Sequence, residues 1–206
     1  MNFFYLLYFA AAYFLGSIPF GLIAGRMKGV DLRKHGSGNI GATNAGRVLG
    51  KPLGYTVFAL DFLKGLLAVG LPGILQAPEW VGIVCFFCVV LGHNFPLWLG
   101  FRGGKGIATS GGGMLGLIPL AFVISLSVWL ILFFATRYVS LASIGGSLAL
   151  PATTGALYAM GKGSGLLFAV TAIMCVMAVW LHRSNIKRLL AGTESRASKK
   201  TSPKSS

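Results

Sequence analysis

The sequence predicts an all-α integral membrane protein. Three observations carry this: a composition poor in charge, several apolar runs long enough to cross a bilayer, and positive charge gathered mostly in the stretches between them. Of 206 residues, 55% are hydrophobic and 11% charged, against roughly 25% charged in soluble domains. A hydrocarbon core about 30 Å thick takes about 20 apolar residues per helix. The chain is therefore expected to form one polytopic domain, residues 1–190, followed by a basic, disordered tail, 191–206.

The elements follow in order. Residues 3–25 form the first span; no positive n-region or cleavage site marks it as a signal peptide, so it is expected to be retained. Gly21, Gly25 and Gly29 recur every four residues, a spacing that suits close helix packing. Residues 26–52 are polar and basic. Residues 53–75 form a second span, interrupted by Asp61 and Lys64, and a short link with Pro78 leads to a third, 81–99. Phe101–Gly106 is a basic glycine turn. Residues 107–136 are apolar but broken at Gly111–Gly113 or at Pro119, and two further spans cover 139–160 and 165–181.

Charge sets the orientation, because Lys and Arg collect on the cytoplasmic side. The 26–52 loop carries Arg26, Lys28, Arg33, Lys34, Arg47 and Lys51, and the chain after His182 is rich in Lys and Arg. Both are expected inside, which puts the N-terminus outside. A single crossing over 107–136 would strand the tail outside, and thirty helical residues reach only about 45 Å. Two short helices restore the tail to the cytoplasm, giving seven helical segments, some of them short.

Net charge is +14, and the acids are only Asp31, Asp61, Glu79 and Glu194. Part of this excess is orientation. Part lies within Gly- and Asn-rich sequence and points to an anionic substrate. The charges are scattered between spans, which argues against nucleic acid. Cys85, Cys88 and Cys175 stand in apolar runs as small buried hydrophobes. The four acids are dispersed, so no metal or cofactor is expected.

Five constellations carry chemistry. Gly36-Ser-Gly-Asn-Ile-Gly-Ala-Thr-Asn44 matches G-x-G-x-x-G, but no strand precedes it, which excludes the dinucleotide reading. Its glycines expose backbone N–H groups that suit an anion, with donors from Ser37, Asn39, Thr43 and Asn44 and charge from Arg47; the plain alternative is a turn-rich loop. Asp61 and Lys64 share one helix face, as a functional pair or as an ion pair pinning two helices. His93-Asn94 is followed by Arg102-Gly-Gly-Lys-Gly106, where Gly103, Gly104 and Gly106 flank Lys105 just before a helix, a setting that favours phosphate. Ser140 and Ser143 lie on one face of a helix start, where capping is the commoner role. His182, Arg183 and Asn185 leave the last span at the same membrane face.

These residues occur as G-S-I-P-F-G, G-S-G-N-I-G-A-T-N, D-F-L-K-G, L-G-H-N-F-P, F-R-G-G-K-G-I-A-T and H-R-S-N-I-K-R-L-L-A-G-T-E. The series, in this order from about residue 14 to 196, resembles the bacterial acyl-phosphate:glycerol-3-phosphate acyltransferases. The resemblance implies a seven-helix, multi-pass enzyme of the bacterial inner membrane with its site on the cytoplasmic face. It would transfer a fatty acyl group from acyl phosphate to the 1-hydroxyl of glycerol 3-phosphate. Lysophosphatidate and phosphate would be the products, at the start of phospholipid biosynthesis. It also implies membrane lipid as a partner and functional coupling to the enzyme that makes acyl phosphate.

Chemically this fits. An acyl phosphate is a mixed anhydride, already activated, and the sequence shows neither a nucleophile–base pair nor His-x-x-x-x-Asp. What remains is the positioning of two anions. On this reading Ser37, Asn39, His93 and Lys105 are the catalytic candidates. Substrate-binding candidates are Gly38, Gly41, Thr43, Asn44, Arg47, Lys64, Asn94, Gly103, Gly104, Gly106, Thr109, Ser143, His182, Arg183 and Asn185. The Ser37–Asn44 loop and Lys105 are assigned to acyl phosphate. Arg47, Lys64, Ser143, His182, Arg183 and Asn185 are assigned more loosely to glycerol 3-phosphate. The base is left among His93, Asp61 and a substrate phosphate. The rival class is a transporter of small phosphorylated anions. It is disfavoured because transporters usually place their site at the midplane between repeats, whereas the polar residues here gather at one face and no repeat is found.

Overall fold

A computed structural model describes residues 3–197. Among them every regular element is helical: α1 Phe3–Gly16, α2 Phe20–Met27, α3 Ala42–Val48, α4 Lys51–Ile74, α5 Glu79–Asn94, α6 Ile107–Leu117, α7 Pro119–Thr136, α8 Val139–Ala159, α9 Gly165–Leu181 and α10 Arg183–Leu190. Two single 3₁₀ turns lie at Leu32–Lys34 and Leu97–Leu99. The expected segments are all present.

Four stretches are long and apolar enough to cross a membrane: Phe3–Met27, Lys51–Ile74, Glu79–Leu99 and Pro119–Thr136. Gly165–Leu181 bends by 55° into Arg183–Leu190. Outward-facing Leu67, Ile131, Phe134 and Val176 are each more than half exposed, as suits a surface whose solvent is lipid rather than water. α8 is less apolar. Its Ser143, Ser147, Thr153 and Thr154 hydroxyls donate to carbonyls four residues back, and Thr154 and Thr171 meet at 2.7 Å between α8 and α9.

Cross-contacts give the directions. Tyr5 packs on Trp80 and the Tyr13 hydroxyl donates to Phe95 O at 2.8 Å, so α1 and α5 run parallel. α6 lies along α4, with Gly65 against Thr109, Gly112 against the Phe62 carbonyl and Gly116 against Val69. At eleven residues, α6 reaches only about 16 Å and cannot cross. It begins beside the middle of α4 and ends with Leu117 near Gly82 at the start of α5. α7 returns to the basic face and ends at Thr136.

The break in 107–136 falls at Ile118–Pro119, where proline disfavours a helical residue before it. The Gly111–Gly113 run lies inside α6: Gly112 lets the Phe62 backbone approach, and Gly113 lies under the Phe86 ring. The expected first span breaks at Ser17–Pro19, leaving α2 as a separate short helix, and α3 arises inside the expected 26–52 loop. A larger correction concerns the tail. Residues 191–197 are packed rather than disordered: Glu194 is buried, the Ala197 N–H donates to Arg137 O at 2.9 Å, and Arg196 stacks over Tyr138. Residues 198–206, the remainder of the expected disordered tail, lie outside the described residues.

Candidate active site at the basic end of the bundle

The Gly36–Asn44 loop is closed by one side chain. Asn44 is 1% exposed. Its Nδ2 donates to the Leu32, His35 and Asn39 carbonyls at 3.2, 3.0 and 2.8 Å, and its Oδ1 accepts the Ser37 N–H at 2.8 Å. Gly36 and Gly38 take φ of +60° and +73°, a left-handed conformation that glycine adopts at little cost. Asn39 Oδ1 accepts the Gly41 N–H at 2.7 Å, a local turn just before α3. The loop's two asparagine carbonyl oxygens are thus spent internally. Asn44, expected among the substrate ligands, serves as the loop's fastener, while the exposed Ser37 and Thr43 side chains remain open to a ligand.

A second loop holds Lys105. The Gly103 and Gly104 N–H groups donate to the Asn94 and His93 carbonyls, each at 3.0 Å, clamping the loop to the end of α5. A Cβ on Gly103 would strike Pro96 Cδ and the Asn94 carbonyl, and one on Gly104 would strike the His93 ring, so the spacing admits only glycine. Gly106 has φ +75° and covers Asn94 Oδ1, a buried acceptor without a partner. Asn94 therefore lies under the loop and is not presented to a ligand. α6 starts at the next residue, so its first-turn N–H groups lie beside Lys105.

The Lys105 ammonium donates to Asn185 Oδ1. Asn185 Nδ2 donates in turn to Glu194 Oε1 at 2.7 Å, as does Ser140 Oγ, and Arg188 Nε reaches Glu194 Oε2 at 2.6 Å. Burial opposes the Glu194 charge, but the bonds from Asn185, Ser140 and Arg188 outweigh burial and hold its carboxyl below the usual value. Burial first, then the nearby charges of Arg188, Arg47 and Arg183, pushes the Lys105 ammonium down to about 8, against the pull of Glu194. Arg47 donates to Ser195 O at 3.4 Å, tying α3 to the 191–197 segment. His182 is buried, its Nδ1 on Ala178 O at 2.8 Å, and burial first, then the nearby Lys105 charge, lowers its basicity. Arg183 stacks on Trp180 at 4.3 Å.

Lys105, Asn185, His182, Arg183 and Arg47 are thus brought together, as expected. Other expected members are committed elsewhere. Ser143 donates to Val139 O and accepts from Trp129 Nε1. Lys64, 2% exposed, is ion-paired with Asp61 at 2.7 Å and donates to Ile18 O at 3.1 Å. Thr109, fully buried, has its hydroxyl 3.3 Å from His93 Nδ1. These contacts are spent inside the bundle rather than on Lys105. Ser140, Arg188 and Glu194 are the residues missing from the expected site. Glu194 carried a signal, as one of four acids in a chain with so many cations.

The arrangement is a cluster of cations and amide donors around one half-buried lysine, at the end of a bundle of apolar helices. It suits phosphate-bearing groups. Comparison with known proteins agrees. Residues 6–192 match the glycerol-3-phosphate acyltransferase family. The glycerol-3-phosphate acyltransferase of Rhizobium meliloti (strain 1021) is 47% identical over 195 residues, covering 91% of this chain and 90% of the relative. That of Desulforamulus reducens is 47% identical over 184 residues, 89% and 90%. Among solved structures, PlsY (YgiH), an integral membrane glycerol 3-phosphate acyltransferase, superposes in its glycerol 3-phosphate form with a TM-score of 0.86. It is 41% identical, with 94% of this chain and 96% of that one covered. Its lysophosphatidic acid form gives 0.83 at 40% identity, with 94% and 95% covered.

Proposed function

The chain belongs to the glycerol-3-phosphate acyltransferase family, and from that premise we propose that acyl phosphate is its donor and the 1-hydroxyl of glycerol 3-phosphate its acceptor. It is an integral membrane acyltransferase of phospholipid synthesis. The observation that carries the finer reading is the Lys105–Asn185 contact, ringed by Arg47, Arg183 and Arg188. This is a site for phosphate groups; the Ser140 hydroxyl beside it donates to a Glu194 carboxylate that Asn185 and Arg188 already engage.

In the reaction the acceptor oxygen bonds to the acyl carbon, and the bond from that carbon to the bridging phosphate oxygen breaks. The electron pair leaves on inorganic phosphate, and the hydroxyl proton passes to a phosphate oxygen. A substrate phosphate is favoured as the base, because His93 and Asp61 are buried and engaged with Thr109 and Lys64. Ser37, Thr43, the Gly38–Gly41 backbone and Lys105 hold the acyl phosphate, with Asn39 shaping that loop. Arg47, His182, Arg183 and Asn185 hold glycerol 3-phosphate. Fixed donors of this kind stabilise both the developing oxyanion and the leaving group.

The 26–52 loop, Lys105 and α10 share one end of the bundle. Their excess of Lys and Arg supports a multi-pass arrangement in a bacterial inner membrane, with the N-terminus outside and the site and C-terminus cytoplasmic. A donor that is itself a lipid supports functional coupling to the enzyme that makes it.

The test is purified protein in lipid with acyl phosphate and glycerol 3-phosphate, following phosphate and lysophosphatidate together. Equal amounts of both, abolished by Lys105→Ala, are expected. Product from a different acyl donor alone would overturn the donor assignment. Full activity of Lys105→Ala would overturn the site.

A further inference from the structure

Below the Lys105 loop lies a second, fully buried cluster that the acyl-transfer chemistry does not use. Asp61 and Lys64 are one turn apart on α4, 3% and 2% exposed, with their charges 2.7 Å apart. Lys64 reaches further, donating to Ile18 O in the break between α1 and α2 at 3.1 Å and standing 5.5 Å from the centre of the Phe20 ring. On its other side Asp61 Oδ1 lies 3.5 Å from His93 Nδ1 on α5. That same nitrogen is 3.3 Å from Thr109 Oγ1 on α6. Four helical elements therefore converge on one ion pair.

The His93 residue is also the floor of the Lys105 loop. Its carbonyl accepts the Gly104 N–H, and its ring lies against Gly104 so closely that no Cβ fits between them. Thr109 lies four residues beyond Lys105, in the first turn of α6, with Gly65 of α4 against its carbonyl. The segment bearing Lys105 is thus held at both ends by His93, which lies against Asp61, while the Lys105 ammonium itself points to Asn185.

We infer that Asp61, Lys64, His93 and Thr109 form a positioning network: by gripping the 103–109 segment at both ends from within the bundle, they set where the Lys105 ammonium stands. His93 acts here through its Nδ1 and its ring face, not as a proton carrier. The pair at 61 and 64 is kept charged because each partner is neutralised where it lies, and removing either one would strand a buried charge. The inference rests on the reading of Lys105 as a phosphate-holding residue, and its test is chosen to be independent of turnover.

The test reads the pH dependence of Lys105 modification by an amine-reactive acylating reagent, followed residue by residue by mass spectrometry. The groups bearing on Lys105 are Arg47, Arg183, Arg188, Glu194 and His182. In the unaltered protein the midpoint is expected at about 8. His93→Leu removes the Nδ1 contacts, and the midpoint is expected to climb toward the ordinary lysine value of about 10.4, with kcat/KM falling by up to about a hundredfold. His93→Asn places an amide nitrogen where Nδ1 was and is expected to restore the midpoint. Thr109→Val gives the same reading as His93→Leu if the leucine variant does not fold. A folded His93→Leu or Thr109→Val protein with an unmoved midpoint, or a His93→Asn protein no better than His93→Leu, would overturn the inference. A shifted midpoint with unchanged kcat/KM would uphold the network and instead remove Lys105 from the reaction.

Discussion

Replacing Asn44 by alanine separates a fastener from a ligand. Its side chain makes four contacts between 2.8 and 3.2 Å. The amide has two hydrogens for three carbonyls, so about three bonds are made at once. At about 1 kcal/mol net for each, Asn44→Ala costs the formed loop about 3 kcal/mol, near a hundredfold in its population. Some of the freed carbonyls can take water at this exposed loop, which keeps the cost from rising much further. Asn44→Asp is expected to be worse: it keeps an acceptor for the Ser37 N–H but sets a negative oxygen against three carbonyls in a site only 1% exposed. The assay is acyl transfer at graded substrate concentration beside thermal unfolding in lipid nanodiscs. Both variants should lower Tm and kcat/KM together, with Asp below Ala. If Asn44→Ala kept its Tm and lost only substrate affinity, Asn44 would be a ligand and the loop argument would fail.

Four further outcomes are expected. Lys105, near 8 when empty, is roughly nine-tenths neutral at pH 9, so KM for acyl phosphate should rise above pH 8 and Lys105→Arg should flatten that rise; a pH-independent KM would refute it. The same shift disfavours the charged lysine in the folded state. Its cost is full below about 8 and fades as pH rises toward the unfolded value, so this residue makes stability climb with pH in that window. Glu194→Gln leaves Arg188 facing an amide and loses about 2 kcal/mol of charge-assisted bonding, read as a Tm several degrees lower and a weakened Lys105 site; an unchanged Tm would refute the packing of 191–197 as a support. Gly65→Ala drives a methyl group into the Thr109 carbonyl, with Gly113 N 3.0 Å away. Because the obstacle is backbone, α4 and α6 must part, at about 1–3 kcal/mol, and an alanine variant as stable as the parent would show the seam to be looser than described.

The membrane class and the seven main segments were legible because hydropathy and the placement of Lys and Arg are local properties of the chain. The break at Pro119 was legible as one of two candidates. Proline acts on its own neighbour, whereas the meaning of Gly111–Gly113 depended on Phe62 and Phe86 lying against it. Asp61 and Lys64 were readable as one helix face. That His93 joins them was not, since nothing in a 32-residue separation announces a 3.5 Å approach. Lys105 and Asn185 were both picked out, but as separate loops. The identity of Asn44 as donor and acceptor fitted a ligand as well as a fastener, and only the carbonyls around it decide. Glu194 was missed as a site residue because the chain after Leu190 loses its apolar pattern. It is ordered by hydrogen bonds rather than burial of hydrophobes, and such bonds leave no periodicity.

The half-length of α6 bears on how the two substrates meet. Because that helix starts beside the middle of α4, the lysine before it is half-buried, within reach of Asn185 on α10 and of the Arg47 charge on α3. On the proposed donor assignment, a water-soluble acceptor would reach this lysine from the aqueous side, while the acylated donor would keep its chain in the bilayer. The reaction then joins a three-dimensional pool to a two-dimensional one. Its velocity should follow the donor's mole fraction in the membrane rather than its amount per volume, so adding inert lipid at constant donor would slow the enzyme as surely as removing substrate.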